Sequence, residues 1–426
     1  MIASLYAGIS GLSANATAMT VIGDNIANVG TTAFKSNRSH FANILSSSLG
    51  GDSATGNVGR GVEFWGTNAQ WTQGSLENSS NPTDLAINGK GFFMVQDGSG
   101  SNFYTRAGNF TFDKEGYLVN PDGLKLQGYQ VDASGNIGAI ESVYIPGERI
   151  SAPSVTTEFN FDLNLSAAAD LLDTYTTSQT VYDSLGNAVP VTLTFTKTAA
   201  GAWSVLGSVP LTAGNNVTIG GLPNPNPDPT PLVPPVGMPI TFDANGRLAL
   251  VNGAVPADVP IVIAMTNGAS SLTMAWDLVD ASGVSHGDVT GFATDSGTTF
   301  QYQDGYPAGT LRSITVDDMG VVTATYSNGE MTPTFQIALA DFPSYDGLSK
   351  MGNNLYAASM ASGQALPSTA GTGRLGNISP QSLEMSNVDL AEEFVKMITT
   401  QRAFQANSRV ITTSDEILQE LINIKR

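Results

Sequence analysis

Apolar positions follow two different rhythms along this chain. At both ends they recur three and four residues apart, and between the ends they come in short alternating runs. The C-terminal stretch is the longest helical pattern. Leu390, Phe394, Met397, Gln401, Phe404, Ser408, Ile411, Asp415, Leu418 and Ile422 fall alternately four and three apart. This is a heptad seam with polar interruptions at Gln401, Ser408 and Asp415. Ser386, Asn387 and Asp389 offer N-cap oxygens, Glu392 and Glu393 put negative charge in the first turn, and Lys425 and Arg426 put positive charge at the far end. No glycine or proline interrupts residues 386–426. The N-terminal stretch sets Leu5, Ile9, Leu12, Ala16, Met19, Ile22 and Ile26 on one face. Gly8, Gly11 and Gly23 each lower its helix propensity by about 1 kcal/mol. Such a helix is weak alone, so pairing of the two ends is the simplest expectation. Two separate core helices, each packed on a sheet, are the alternative.

The interior reads as β. "LAINGKGFFMVQ", "VTLTFTK", "IVIAM", "LTMAWDLV" and "VVTATYS" are short, β-branched and aromatic. An Asp-x-x-Gly signature recurs at Asp113–Gly116, Asp132–Gly135, Asp183–Gly186, Asp243–Gly246, Asp280–Gly283 and Asp317–Gly320. It suits type I turns whose glycine takes positive φ in a hairpin. None of these turns supplies the oxygen set of a calcium loop. Between Pro223 and Pro235 there are seven prolines, which predicts an extended loop. The expected fold class is therefore mainly β with α-helical termini that pair as a coiled coil.

Composition and charge then narrow the function. The chain has 426 residues, 41% of them hydrophobic and only 13% charged. That is enough apolar material for several β-rich domains. A net charge of −19 argues against a nucleic-acid partner. Residues 151–300 hold twelve acidic side chains against only Lys197 and Arg247, which suits a segment kept in solvent. There is no cysteine, so disulfides and cysteine metal sites are excluded. No apolar run is long enough to span a membrane, and no secretory signal pattern opens the chain. Catalytic readings fare poorly. His40 and His286 are the sole histidines, and Gly89-Lys90-Gly91 lacks the rest of a phosphate loop. Asp317 and Asp318 are adjacent, so in a strand they point to opposite faces. No enzyme, cofactor or metal is expected.

If the ends form one helical unit, everything between them is nested, with the acidic middle farthest out. Here the residues resemble a known family. "GISGLSANATAMTVIGDNIANVGTTAFKSNRSHF" and "SNVDLAEEFVKMITTQRAFQANSRVITTSDEILQELINIKR" are similar to the terminal signatures of bacterial flagellar rod and hook axial proteins. "LAINGKGFFMVQDGSGSNFYTRAGNFTFDKEGYLVNPDGLKLQGY" resembles the segment that rod and hook subunits share, and "TVYDSLGNAVPVTLTF" the start of the hook type's outer domain. Ala33 departs from the pattern, which usually has glycine before the aromatic Phe34.

The resemblance implies a structural hook subunit with no enzymatic role. It would polymerise into a curved, flexible tube that carries torque from rod to filament and encloses an export channel. The implied organisation is a helical domain (1–30 plus 386–426), a linker (31–75), an inner β domain (76–150 plus 301–385) and an outer inserted β domain (151–300). Subunit packing would fall to Leu5, Ile9, Leu12, Met19, Ile22, Ile26, Leu390, Phe394, Met397, Phe404, Ile411 and Leu418. Phe41 and Leu45 are candidates for an export-gate motif, with a structural contact in the linker as the competing role. Implied partners are further copies of the chain, the distal rod protein, the hook cap, the hook–filament junction protein, the hook-length control protein and the flagellar type III export apparatus. Neither nucleic acid nor membrane insertion is expected. The location would be the extracellular flagellum, reached without a cleaved signal peptide. A rod subunit is the alternative within the family, disfavoured by the insertion at 151–300. A secreted adhesin is the alternative outside it, with Trp203 or Trp276 as sugar-binding aromatics.

Overall fold

A computed structural model describes residues 2–44, 47–48, 57–58, 60–132, 135–145, 150–210, 214–223, 237–280 and 285–424. Leu45, residues 281–283 of the Asp280–Gly283 signature, the proline run beyond Pro223, Lys425 and Arg426 lie outside these residues. The fold is mostly β with a helix at each end, and it divides into two compact units.

The first unit comprises residues 1–147, 313–325 and 331–426. It holds both helices, α1 (Ile2–Ala27) and α2 (Leu390–Ile424). Asp389 caps α2: its carboxylate accepts from the backbone N–H of Ala391 (2.8 Å) and Glu392 (3.2 Å). Asn387 is used elsewhere, as described below. The helices pack antiparallel, with Gly8 beside Ile411 at one end and Asn25 beside Glu393 at the other. An antiparallel ribbon of Asn37–Asn43 and Val62–Ala69 lies in the stretch after α1. Beyond it, the strand Met331–Asp341 pairs with Phe92–Gln96, Lys125–Val131, Val321–Tyr326 and Leu366–Thr369. Both halves of the chain thus build one sheet. Its core gathers Phe92, Met94, Tyr104, Ala338, Ala340, Phe342, Leu348 and Tyr356. Short ladders run between Leu76–Asn78 and Ser382–Glu384, and between Leu85–Asn88 and Asn377–Pro380. The chain leaving the ribbon and the chain returning to α2 therefore run side by side.

The second unit comprises residues 148–312 and 326–330. It contains a five-stranded antiparallel sheet (Thr174–Tyr182, Ala188–Ala199, Ala202–Ser208, Met238–Phe242, Leu248–Val251) and a seven-stranded mixed sheet around Glu158–Asn164. Alternate residues are buried along Glu158–Asn164 and Ala188–Ala199, and residues of both sheets meet in one core. Trp203 and Trp276 lie fully inside that core, so neither is the surface aromatic that an adhesin reading requires.

The Asp-x-x-Gly turns form as expected wherever they are described. Gly116, Gly135, Gly186, Gly246 and Gly320 all take positive φ, and each donates its N–H to the carbonyl of the turn's aspartate. The aspartate carboxylates accept from the backbone four residues on. The acidic oxygens are thereby spent on closing turns.

Candidate assembly interface

On the α1 side, the contact between the terminal helices is made largely by small residues. On α1 the buried positions are Gly8, Gly11, Ala14, Ala18, Ile22 and Asn25, again three and four apart. A Cβ at Gly8 would lie 3.1 Å from Ile411 Cγ1, and one at Gly11 2.8 Å from Asn407 Nδ2. The glycines that weaken α1 alone are what let α2 approach it. Of the α1 stripe read from the sequence, only Ile22 is buried; Leu5, Leu12, Met19 and Ile26 are half-buried, and Ile9 is exposed.

The α2 seam divides in the same way. Met397, Phe404, Ile411 and Leu418 are half-buried, interleaved with Glu393, Thr400, Asn407 and Ser414. These eight continue a four-three spacing along the flank that meets α1. The other row of the expected seam, Leu390, Phe394, Gln401, Ser408, Asp415 and Ile422, is exposed. Val395, Ile398, Val410 and Ile417 on α2 and Tyr6 on α1 are exposed as well. A single copy therefore leaves apolar side chains uncovered along the pair, most densely from Leu390 to Ile398.

Polar groups lock the pair to the rest of the unit. Asn25 Nδ2 donates to Asn37 O (2.9 Å) and to Glu393 Oε2 (3.2 Å), and its Oδ1 accepts from Asn37 N (2.8 Å). Asn387 Oδ1 accepts from Ser36 N (2.7 Å), and its Nδ2 donates to Gln70 O (2.8 Å) and Thr72 O (3.2 Å). Three segments are thus tied at the root of α2. Below them Glu384 is fully buried. Its carboxylate accepts from Lys35 Nζ (2.5 Å), Arg106 Nε (2.9 Å) and Gly74 N (2.9 Å). Lys35 also donates to Thr72 O (2.8 Å), and Arg106 to Gly89 O (2.6 Å). Burial pulls the Lys35 ammonium below its ordinary range, while the Glu384 charge works in the opposite direction. Ala33, at φ 58, donates its N–H to Glu384 O (2.7 Å). The sequence departs from glycine at a position that does adopt a left-handed backbone.

Trp71 pins the segment that follows the ribbon. Its Nε1–H donates to Asp346 Oδ1 (3.1 Å), and its ring packs against Phe92, Tyr345 and Tyr356 at 5.5, 5.7 and 5.2 Å. Sequence reasoning missed Lys35, Arg106, Glu384 and Trp71, because isolated charges and a lone tryptophan carry no periodic signal. Phe41 lies exposed on the ribbon, edge-on to Phe64 at 5.9 Å.

Among the described residues no catalytic constellation gathers here; the arrangement is a helix pair tied to the ribbon and strands, with apolar side chains left uncovered. Comparison with known sequences agrees with a structural role. Residues 5–35 match the family described as flagella basal body rod protein, and 379–424 the flagellar basal body rod FlgEFG protein C-terminal family. Residues 86–164 match the flagellar hook protein FlgE/F/G D1 domain, and 155–306 the flagellar basal body protein FlaE D2 domain. The chain is 35% identical over 464 residues to the flagellar hook protein FlgE of Borreliella burgdorferi, covering 100% of both chains. It is 34% identical over 435 residues to the Escherichia coli K12 protein of that name, covering 98% of each. A crystal structure of Helicobacter pylori flagellar hook protein FlgE2 shares the fold at a TM-score of 0.51 and 16% identity, over 72% of this chain and 100% of that one. The chain belongs to the flagellar hook protein family, whose members are structural proteins of the flagellum and not enzymes.

Proposed function

We propose that this chain polymerises through the uncovered side of its helix pair into the curved tube of the hook, with the helices innermost around an export channel. The observation that carries this reading is the cluster Leu390, Phe394, Val395 and Ile398, large apolar side chains that a folded single copy leaves in solvent near the start of α2. An exposed apolar cluster of that kind marks an interaction site. The half-buried residues of α1 and α2 named from the sequence would complete that packing. The nested order of the chain supports an inner β domain near the helices and an outer domain from the acidic insertion. Curvature and torque transmission then require outer contacts weak enough to break and reform as the tube turns. The rod, cap, junction and length-control proteins are its expected neighbours, and the flagellar type III apparatus its export route, without a cleaved signal peptide. Phe41 is the described half of the proposed export-gate pair. Electron microscopy of concentrated purified protein tests the reading: curved tubes are expected, and a protein that stays monomeric at every concentration overturns it.

A further inference from the structure

The ribbon after α1 carries an unusual side chain. Its register runs His40 to Gly66 and then Phe41 to Phe64, so Trp65 is an extra residue with no cross-strand partner. Bulges of this kind re-aim a side chain. Trp65 is 82% exposed, and Phe41 and Phe64 beside it are exposed too. Tryptophan is the residue most enriched at energetic centres of interfaces, and one held in water by a folded ribbon asks for a partner. The ribbon rests on the helix arm, with Val62 N donating to Ser10 Oγ (3.2 Å) on α1. Phe41 of the ribbon also lines one groove with Lys396, Thr399 and Thr400 of α2, so the aromatic patch adjoins the arm.

We propose that Trp65 is the anchor by which the ribbon of one copy grips the exposed α2 face of a second copy, around Phe394 and Ile398. This rests on the polymerisation reading and names a contact within it. The occupant is a second copy because the α2 face and the ribbon are both uncovered in one chain, both apolar and both on the same arm. Stacked arms bring the two surfaces into reach of each other. An aromatic anchor flanked by Phe41 and Phe64 would meet aliphatic and aromatic side chains there, as interface anchors tend to pair with one another.

The test uses the wild-type chain first. Oxidative footprinting read by mass spectrometry should find Trp65 reactive in the dilute monomer and strongly protected in tubes; equal reactivity in both overturns the proposal. Trp65→Ser should raise the concentration needed for assembly at least about tenfold, whereas Trp65→Phe should raise it much less. Circular dichroism of the dilute variants guards against misfolding. Tubes from Trp65→Ser at the wild-type concentration overturn the anchor. Because the chain has no cysteine, Glu63→Cys beside the anchor combined with Thr399→Cys beside Ile398 gives a clean crosslink that leaves both contact residues in place. Oxidised tubes of this variant should yield a ladder of covalent multimers, and each single variant none. Tubes without a ladder overturn the α2 face as the occupant. Absence of wild-type tubes would instead sink the polymerisation reading, so the two failures are distinguishable.

Discussion

Glu384 shows how much one side chain can carry. It joins the segment after α1, the segment after the ribbon, Arg106 and the strand before α2. Glu384→Gln would leave Lys35 and Arg106 as buried cations without a counter-charge, at a cost of about 3–5 kcal/mol. Urea unfolding of the monomer should show this loss, and a change under 1 kcal/mol would mean that water reaches the cluster. The neighbouring tyrosines give a pH signature. Burial pushes the Tyr356 hydroxyl up to about 12, and burial followed by the hydrogen bond to Asp341 pushes Tyr345 further. Their ordinary value is 10.0. Above it the unfolded chain loses these protons while the folded chain keeps them. The stability is therefore fully present below pH 10 and falls as the pH rises toward 12. Melting temperature should drop across that window, and Tyr356→Phe should flatten the drop. An equal slope in the variant would show that Tyr356 ionises normally in the fold.

At the scale of elements, the termini were legible as helices because their spacing is strict and their caps are local. The faces were less so. Large apolar residues dominate any count of a stripe, yet α1 turns Gly8, Gly11, Ala14 and Ala18 inward, because close approach to α2 requires small side chains. On α2 the expected seam contains two rows, one toward α1 and one toward solvent. The three polar interruptions, Gln401, Ser408 and Asp415, all fall on the solvent row, whereas Met397, Phe404, Ile411 and Leu418 toward α1 are all apolar, so the seam carried a signal that separates the rows once it is split. The hairpin turns were readable because Asp and Gly carry their own geometry. The Lys35–Glu384–Arg106 cluster was not, because it assembles residues far apart in the chain. The two rows predict separable effects. Phe394 is exposed in one copy, so Phe394→Asp should alter monomer stability by no more than about 0.5 kcal/mol. In an assembled tube it would bury an unpaired carboxylate in every subunit, at several kcal/mol each. Assembly should fail while the thermal melt stays in place. Normal tubes from this variant would remove Phe394 from the packing surface.

For the whole molecule, the insertion is the part whose role can be separated by cutting. Residues Ile150 and Ser151 pair in register with Thr310 and Gly309, and Ser154 bridges Tyr306. The chain therefore enters and leaves the second unit on adjacent antiparallel strands. A short Gly/Ser turn in place of residues 152–308 would close a hairpin that the backbone ladder already prepares. Closure cost grows slowly with loop length, so a short replacement should be tolerated. The second unit also has its own core, built from its own two sheets, so its removal strips no apolar partner from the core around Phe92 and Phe342. The shortened chain should fold, with far-UV dichroism retaining the helical signal. If the helix arms drive polymerisation, tubes should still form. Their curvature should change, because the acidic unit would no longer supply the contacts that distinguish the compressed side from the extended one. Electron microscopy measures the shape, and a motility assay in cells carrying the shortened chain measures the consequence. Curved tubes of normal shape with full motility would deny the second unit any part in setting the bend. A folded variant that forms no tubes at all would make that unit part of the assembly contact, and the helix arms alone would then be insufficient.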